Sequence, residues 1–341
     1  MAIAYFLSIP RQSDYSGEPL LSRLRELDLI GAAFLIPSIV CLLLVLQWGG
    51  STYPWNSSRI IGLLVGFGCL LIIFVVTQIK QGDRATLPIH ILSQRTVAAS
   101  ISYAVMFGGG FFVLLFYLPL YFQSIKDASA TKSGIEILPL LLSAVLSSIV
   151  TGGLVTGLGY YTPVLIFSTV LFAIGAGLIS TYSVDMSFGK WFGYQILAGA
   201  GIGAGFQSPI IAVQTVLPLE DVAVGSACVA FFQTLGGALF VSVAQTVFQN
   251  GLIRGVNKFV PELDPTTLLR VGATEIRSTL SVMGMLDKLP AVLDAYMVGL
   301  VDGYRVPFGL ASAAIIATLF LEWRSVKDED AKEKQEAAMG V

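Results

Sequence analysis

The chain has 341 residues, 55% of them hydrophobic and only 12% charged, with a mean hydropathy of +0.79. This composition excludes a soluble protein that keeps its neighbours apart with a mixed charged surface. A net charge of −2 with a pI near 5.5 excludes an electrostatic footprint for nucleic acid.

The first residues, Met1 to Ile9, are apolar but lack a basic n-region, are too short to span a bilayer and run into the polar Pro10 to Asp28 segment. They read as the stump of a preceding helix on a cytoplasmic segment over 1–28, as if the chain began partway through a larger protein. Eight apolar stretches follow: Leu29 to Gln47, Ile60 to Ile79, Val97 to Phe122, Ile135 to Thr156, Val164 to Tyr182, Trp191 to Leu217, Val222 to Gln249 and Val306 to Trp323. About 20 apolar residues at ~1.5 Å rise cross ~30 Å of hydrocarbon, where only a helix satisfies its own backbone. The predicted fold class is therefore all-α, a polytopic membrane protein of about eight transmembrane helices. The sole histidine, His90, and the apolar setting of Cys41, Cys69 and Cys228 predict no metal, no cofactor and no disulfide framework.

The connections suggest two units. Stretches one and two, over 29–96, form a linker pair ending in the polar, basic strip Lys80 to Thr96. The remaining six, over 97–323, form a domain interrupted by a long outside loop at 250–305, where Asp264 followed by Pro265 predicts a capped surface helix. A charged cytoplasmic tail is expected over 324–341. Basic residues concentrate on one set of loops (Arg11, Arg23, Arg25, Lys80, Arg84, Arg95, Arg324, Lys327), whereas the short opposite loops carry Arg59, Lys126, Lys132 and Lys190. That asymmetry predicts both termini inside and Asn56-Ser57-Ser58 outside, which makes Asn56 a glycosylation candidate.

Small residues punctuate the helices. Gly199, Gly201, Gly203 and Gly205 supply overlapping G-x-x-x-G spacings, Gly236 and Gly237 lie in stretch seven, and Gly108-Gly109-Gly110 with Pro119 lie in stretch three. They suit close helix packing or sliding and bending during gating. Ser226, Ala230, Thr234, Ala238 and Ser242, at every fourth position, form a stripe expected to pack against another helix of the domain. Gln207, Gln214 and Gln233, with Gln245, place amides at depth, as cavity-lining groups or interhelical glue. Glu136, near the outer end of stretch four, is either a snorkelling cap or a proton carrier.

Tyr117-Leu118-Pro119-Leu120-Tyr121-Phe122-Gln123, Ser133-Gly134, Leu138-Pro139, Gly152-Gly153-Leu154-Val155-Thr156, Gly159-Tyr160-Tyr161-Thr162-Pro163, Gly201 to Gly205, Gln214 to Pro218 and Phe231 to Ala238 together resemble the major facilitator superfamily. The similar branch is the fungal fourteen-spanning drug:proton antiporters, of the mycotoxin efflux type, in their carboxyl-terminal portion. The resemblance implies a partial major facilitator fold and proton-coupled efflux of a small amphipathic or apolar organic substrate across the plasma or vacuolar membrane. It also implies a missing amino-terminal half of six helices. Gly157 stands where relatives often carry a basic residue. The competing reading is a truncated, non-transporting membrane fragment or a packing partner of a full-length transporter. Catalysis is not expected, since no nucleophile elbow or paired-aspartate metal run is present.

Overall fold

The computed structural model describes residues 28–50, 53–82, 85–325 and 327. The expected helix stump over 1–28 lies, apart from Asp28, outside the described residues, as does the tail from 328 onward. The fold is all-α, and eight helices or helix pairs among the described residues are long and apolar enough to span a bilayer.

Helices α1 (Leu29–Trp48) and α2 (Ser58–Gln81) form an antiparallel hairpin, capped at the start by Asp28 and Ser57 respectively. Asp28 does more than cap. Its carboxylate accepts from the Gly31 amide at 2.6 Å, from Gln78 Nε2 at 2.5 Å and from the Thr86 amide at 3.1 Å, while Gln78 Oε1 accepts from the Leu87 amide at 2.9 Å. The strip after α2 is thereby fastened back onto the hairpin. Burial by itself raises the Asp28 pKa, but the hydrogen bonds from Gln78, Gly31 and Thr86 outweigh it and bring the carboxyl down to about 2.

A short helix α3 (Ile89–Leu92) leads into α4 (Arg95–Ser124). After α5 (Ala130–Glu136) come α6 (Leu138–Leu158), α7 (Thr162–Ile179), α8 (Phe188–Phe206) and α9 (Ser208–Val216). Helix α10 (Leu219–Phe259) runs for 41 residues, and α11 (Pro265–Arg270) and α12 (Ile276–Val282) precede α13 (Leu289–Thr318). Helix α4 is central, packed on α10 and α13; α8 is wedged between α6 and α7, and α13 closes onto α7 and α10.

Two expectations need correction. The loop over 250–305 is shorter, because α10 continues to Phe259 and α13 begins at Leu289. The last span is therefore Leu286–Thr318 rather than Val306 to Trp323, and Trp323 lies beyond the helix. The helix upstream of Val306 carries Asp294, Asp302 and Arg305, and two arginines neutralise its buried Asp302. Within the remaining connection, Asp264 accepts from the Thr266 amide at 2.9 Å and caps α11, as the Asp264-Pro265 pair predicts.

The second correction concerns α10. Its buried face carries Gly225, Val229, Gln233, Gly236, Gly237, Ala244, Phe248, Gly251 and Gly255, whereas in the expected stripe Ser226, Ala238 and Ser242 are half-buried and Ala230 and Thr234 exposed. Glycine decides the face, because only loss of the Cβ admits a neighbouring backbone. A Cβ on Gly236 would meet the Val105 carbonyl, and one on Gly255 the Ala295 carbonyl.

The two ends of the bundle differ. At the α3 end, Arg95 Nε donates to the Phe320 carbonyl at 3.0 Å and Lys327 Nζ to the Gly157 carbonyl at 2.7 Å. Lys327 thus brings a cation to the loop where Gly157 supplies none. At the α11 end an aromatic layer is pinned by hydroxyls: Tyr121 donates to the Ser183 carbonyl, Tyr182 to that of Trp191 and Tyr304 to that of Tyr117.

Candidate functional site

The site begins with a helix that breaks inside the membrane. Helix α8 ends at Phe206 and α9 restarts at Ser208, with Pro209 in its first turn and Gln207 between them. Proline has no N–H, so the α-helical ladder cannot cross this point and carbonyls are left to find other donors. Ser208 Oγ donates to the Ala204 carbonyl at 2.9 Å, and Gln233 Nε2, reaching from α10, donates to the Phe206 carbonyl at 3.3 Å. Gln233 is buried at 4% exposure, while Gln207 and Gln214 lie exposed on one face of the broken helix. The three glutamines are therefore not equivalent. Gln233 repairs the break beside Gln207, and Gln214 stands two turns further along.

Gly205, at the break, would place a Cβ against Phe107, the Tyr103 hydroxyl and Ser168. Tyr103 and Phe107 stand about 8 and 12 residues along α4 from Arg95, so at ~1.5 Å per residue the break lies ~12–18 Å above the α3 end, near the middle of a ~30 Å layer.

The alternate glycines of α8 divide its contacts. A Cβ on Gly199 would fall on Ser143 and the Leu140 carbonyl, and one on Gly203 on the Ala144 carbonyl, all on α6. A Cβ on Gly201 would fall on the Phe172 amide of α7. Ser147 Oγ adds a 2.6 Å bond to the Ala200 carbonyl. Gly237 opposes the Phe112 ring, and Pro119 lies within an uninterrupted α4.

Glu136 ends α5, and its Oε2 is buried without a hydrogen-bond partner. Gln195 on α8 is 0% exposed, with its amide beside the Tyr182 hydroxyl. The α6–α8 register that puts Leu140 beside Gly199 and Ala144 beside Gly203 puts position 136 at the level of Gln195. Asn56 is exposed in the α1–α2 turn. No group of three His, Cys, Asp or Glu that could hold a metal occurs among the described residues.

Sequence reasoning missed Gln195, the Asp28–Gln78 network and the Arg254–Asp302–Arg305 cluster. In the cluster, Asp302, 8% exposed, receives Arg254 at 2.5 Å and Arg305 at 2.6 Å. An i, i+3 Asp-x-x-Arg pair on a continuous helix was the available signal, hidden once 250–305 was read as loop.

No family model matches the sequence. Named relatives do. The chain is 49% identical over 327 residues to the MFS-type efflux pump MFS1 of Arthroderma benhamiae, covering 96% of this chain and 60% of that protein. It is 46% identical over 325 residues to the efflux pump roqT of Penicillium rubens (95% and 59%), and 39% identical over 328 residues to the efflux pump aflT of Aspergillus parasiticus (96% and 63%). The chain thus spans about 60% of the length of these relatives. A solved bacterial homologue of the human lysosomal transporter Spinster, inward-facing and unoccupied, shares the fold at a TM-score of 0.56 and 14% identity, over 87% of this chain and 66% of that one. The chain is thus an all-α bundle with a broken helix near its middle, and along nearly its whole length it is similar to MFS-type efflux pumps.

Proposed function

We propose that this chain is the substrate-facing part of a proton-coupled efflux transporter for small amphipathic or apolar organic molecules. The observation that carries this reading is the break at Phe206-Gln207-Ser208-Pro209, near mid-membrane, with an exposed amide at Gln207 and another at Gln214 on the same face. Discontinuous helices near the bilayer midplane are where secondary transporters bind their cargo, because irregular backbone is tolerated there only against protein or a water-filled cavity. The names of the relatives, efflux pumps of fungi, supply the direction.

Gln207 and Gln214 contact the substrate in this reading, and Gln233 holds the break open. The glycines of α8 and Gly236 let helices shift against one another, with Pro119 as a bending point of α4. Glu136, whose Oε2 is buried without a hydrogen-bond partner and lies in the field of Lys132 and Lys126, is the proton-exchanging candidate. The face bearing Gln207 and Gln214 is exposed, so the cavity closes only against a further set of helices, the amino-terminal half of the transporter. The α3 end is cytoplasmic, and the plasma membrane is the proposed location, with the vacuolar membrane as the alternative.

The test is accumulation of a fluorescent efflux substrate in vesicles under an imposed pH gradient. The chain alone should give none. Joined to the amino-terminal half of a full-length relative, it should give uptake that an uncoupler abolishes, and Gln207→Leu should reduce that uptake about tenfold, the range expected when one buried hydrogen bond is lost. Gradient-dependent uptake by the chain alone overturns the half-transporter reading; silence of the joined protein overturns transport.

A further inference from the structure

The cluster of Arg254, Asp302 and Arg305 sits far from the broken helix and has no part in the proposed transport path. The Phe320 carbonyl marks the level of Arg95 at the α3 end. Tyr117 stands about 22 residues further along α4, ~33 Å at ~1.5 Å per residue. Tyr304 donates to its carbonyl at 3.0 Å. Asp302, two positions before Tyr304 on α13, therefore lies at the opposite boundary of a ~30 Å hydrocarbon layer.

Each arginine takes a different oxygen of the carboxylate, Arg254 Oδ2 and Arg305 Oδ1, so one buried group holds two guanidinium groups side by side. Their side chains remain 68% and 66% exposed. A guanidinium has five N–H donors, and only one from each is used here. The cluster carries an excess positive charge with most of its donors facing outward, an arrangement suited to a phosphate in fork geometry. Beside it lies a cavity of about 470 Å³ whose walls include Arg305 and Asp302, the exposed carboxylate of Asp294, and apolar Val184, Phe259, Met297 and Val301.

We propose that this cavity is a phospholipid headgroup site: Arg305 in its wall takes the phosphodiester, with Arg254 adding positive charge from the other side of Asp302, Asp294 takes the ammonium of a zwitterionic headgroup, and the apolar wall takes the glycerol end of the acyl chains. Asp302 is the positioning residue that holds the two arginines in place. The apolar wall at the boundary of the bilayer favours a lipid over free phosphate, and Asp294 favours an amine-bearing headgroup over a purely anionic one.

The test uses the delipidated full chain in detergent, titrated with short-chain phosphatidylethanolamine, phosphatidic acid, diacylglycerol and inorganic phosphate, with thermal stabilisation as the readout. Phosphatidylethanolamine should stabilise it saturably while diacylglycerol does not, and Arg305→Gln should raise the half-saturating concentration at least tenfold. Asp294 is exposed, so Asp294→Asn should fold normally and lose the preference for phosphatidylethanolamine over phosphatidic acid. Equal stabilisation of wild type and Arg305→Gln would overturn the site and leave the cluster as a structural ion network. Saturable stabilisation by inorganic phosphate at the same concentrations as phospholipid would make it a free-anion site. If Arg305→Gln fails to fold, an unchanged headgroup preference in Asp294→Asn overturns the proposal independently.

Discussion

A single missing Cβ decides more at Gly203 than a whole apolar side chain does on the bundle's outside. A methyl group there would fall on the Ala144 carbonyl, which belongs to backbone and cannot swing away, whereas a Cβ on Gly152 meets nothing within 4 Å. Inserting bulk into a packed contact costs about 1–3 kcal/mol, and a clash with backbone lies at the upper end. Gly203→Leu should therefore lower the melting temperature and the folded yield in detergent, while Gly152→Leu should leave both unchanged. Equal responses of the two variants would show that α6 does not approach α8 as described. Gly199 and Gly203 were legible as a G-x-x-x-G spacing, but which neighbour each one faces was not, since a spacing defines a face and not what covers it.

At the scale of elements, the hairpin α1–α2 depends on one carboxylate. Asp28 caps α1, anchors Gln78 and binds both the amide and the hydroxyl of Thr86. Its pKa of about 2 is depressed from the ordinary 3.8, so the stabilisation is fully present above pH ~4 and is lost as the pH falls through about 2. Cleavage by pepsin in the 82–88 strip should accelerate over that fall in the wild type. In Asp28→Ala it should be fast already at pH 4, because the cap alone is worth ~1 kcal/mol and Gln78 and Thr86 lose their acceptor too. Equal cleavage of the two proteins at pH 4 would refute the anchoring role. The strip was recognisable as a polar boundary; the contact between residues 28 and 86 was not, because it exists only once the hairpin has folded back on itself.

For the whole molecule, the arrangement of α4, α10 and α13 with α8 between α6 and α7 is a bundle whose two ends differ in chemistry. The α3 end gathers Arg95 and Lys327 on backbone carbonyls; the other end has an aromatic layer and the Arg254–Asp302–Arg305 cluster. Under the proposed reading the α3 end lies in the cytoplasm. Reporter fusions after Gly82 and after Gly284, both at positive φ in connections, should report opposite sides of the membrane. Reporters on one side would sink the topology.

What the sequence by itself determined is the medium and the element type. Long apolar stretches with few charges must be helices in a bilayer, and ordered Gly, Pro and aromatic motifs carried the resemblance to efflux pumps. Local composition suffices for this, since the cost of unsatisfied backbone in hydrocarbon is paid residue by residue. Only the tertiary structure decided which groups meet. It moved the last span back to Leu286–Thr318, buried the glycine face of α10 more deeply than the Ser/Ala/Thr stripe, and set Gln233 to repair the break beside Gln207. It also made Asp302 tolerable in a span by bringing Arg254 to it from 48 positions away. A charge or amide in a membrane segment is stable or costly according to its partner, and the partner lies on another helix.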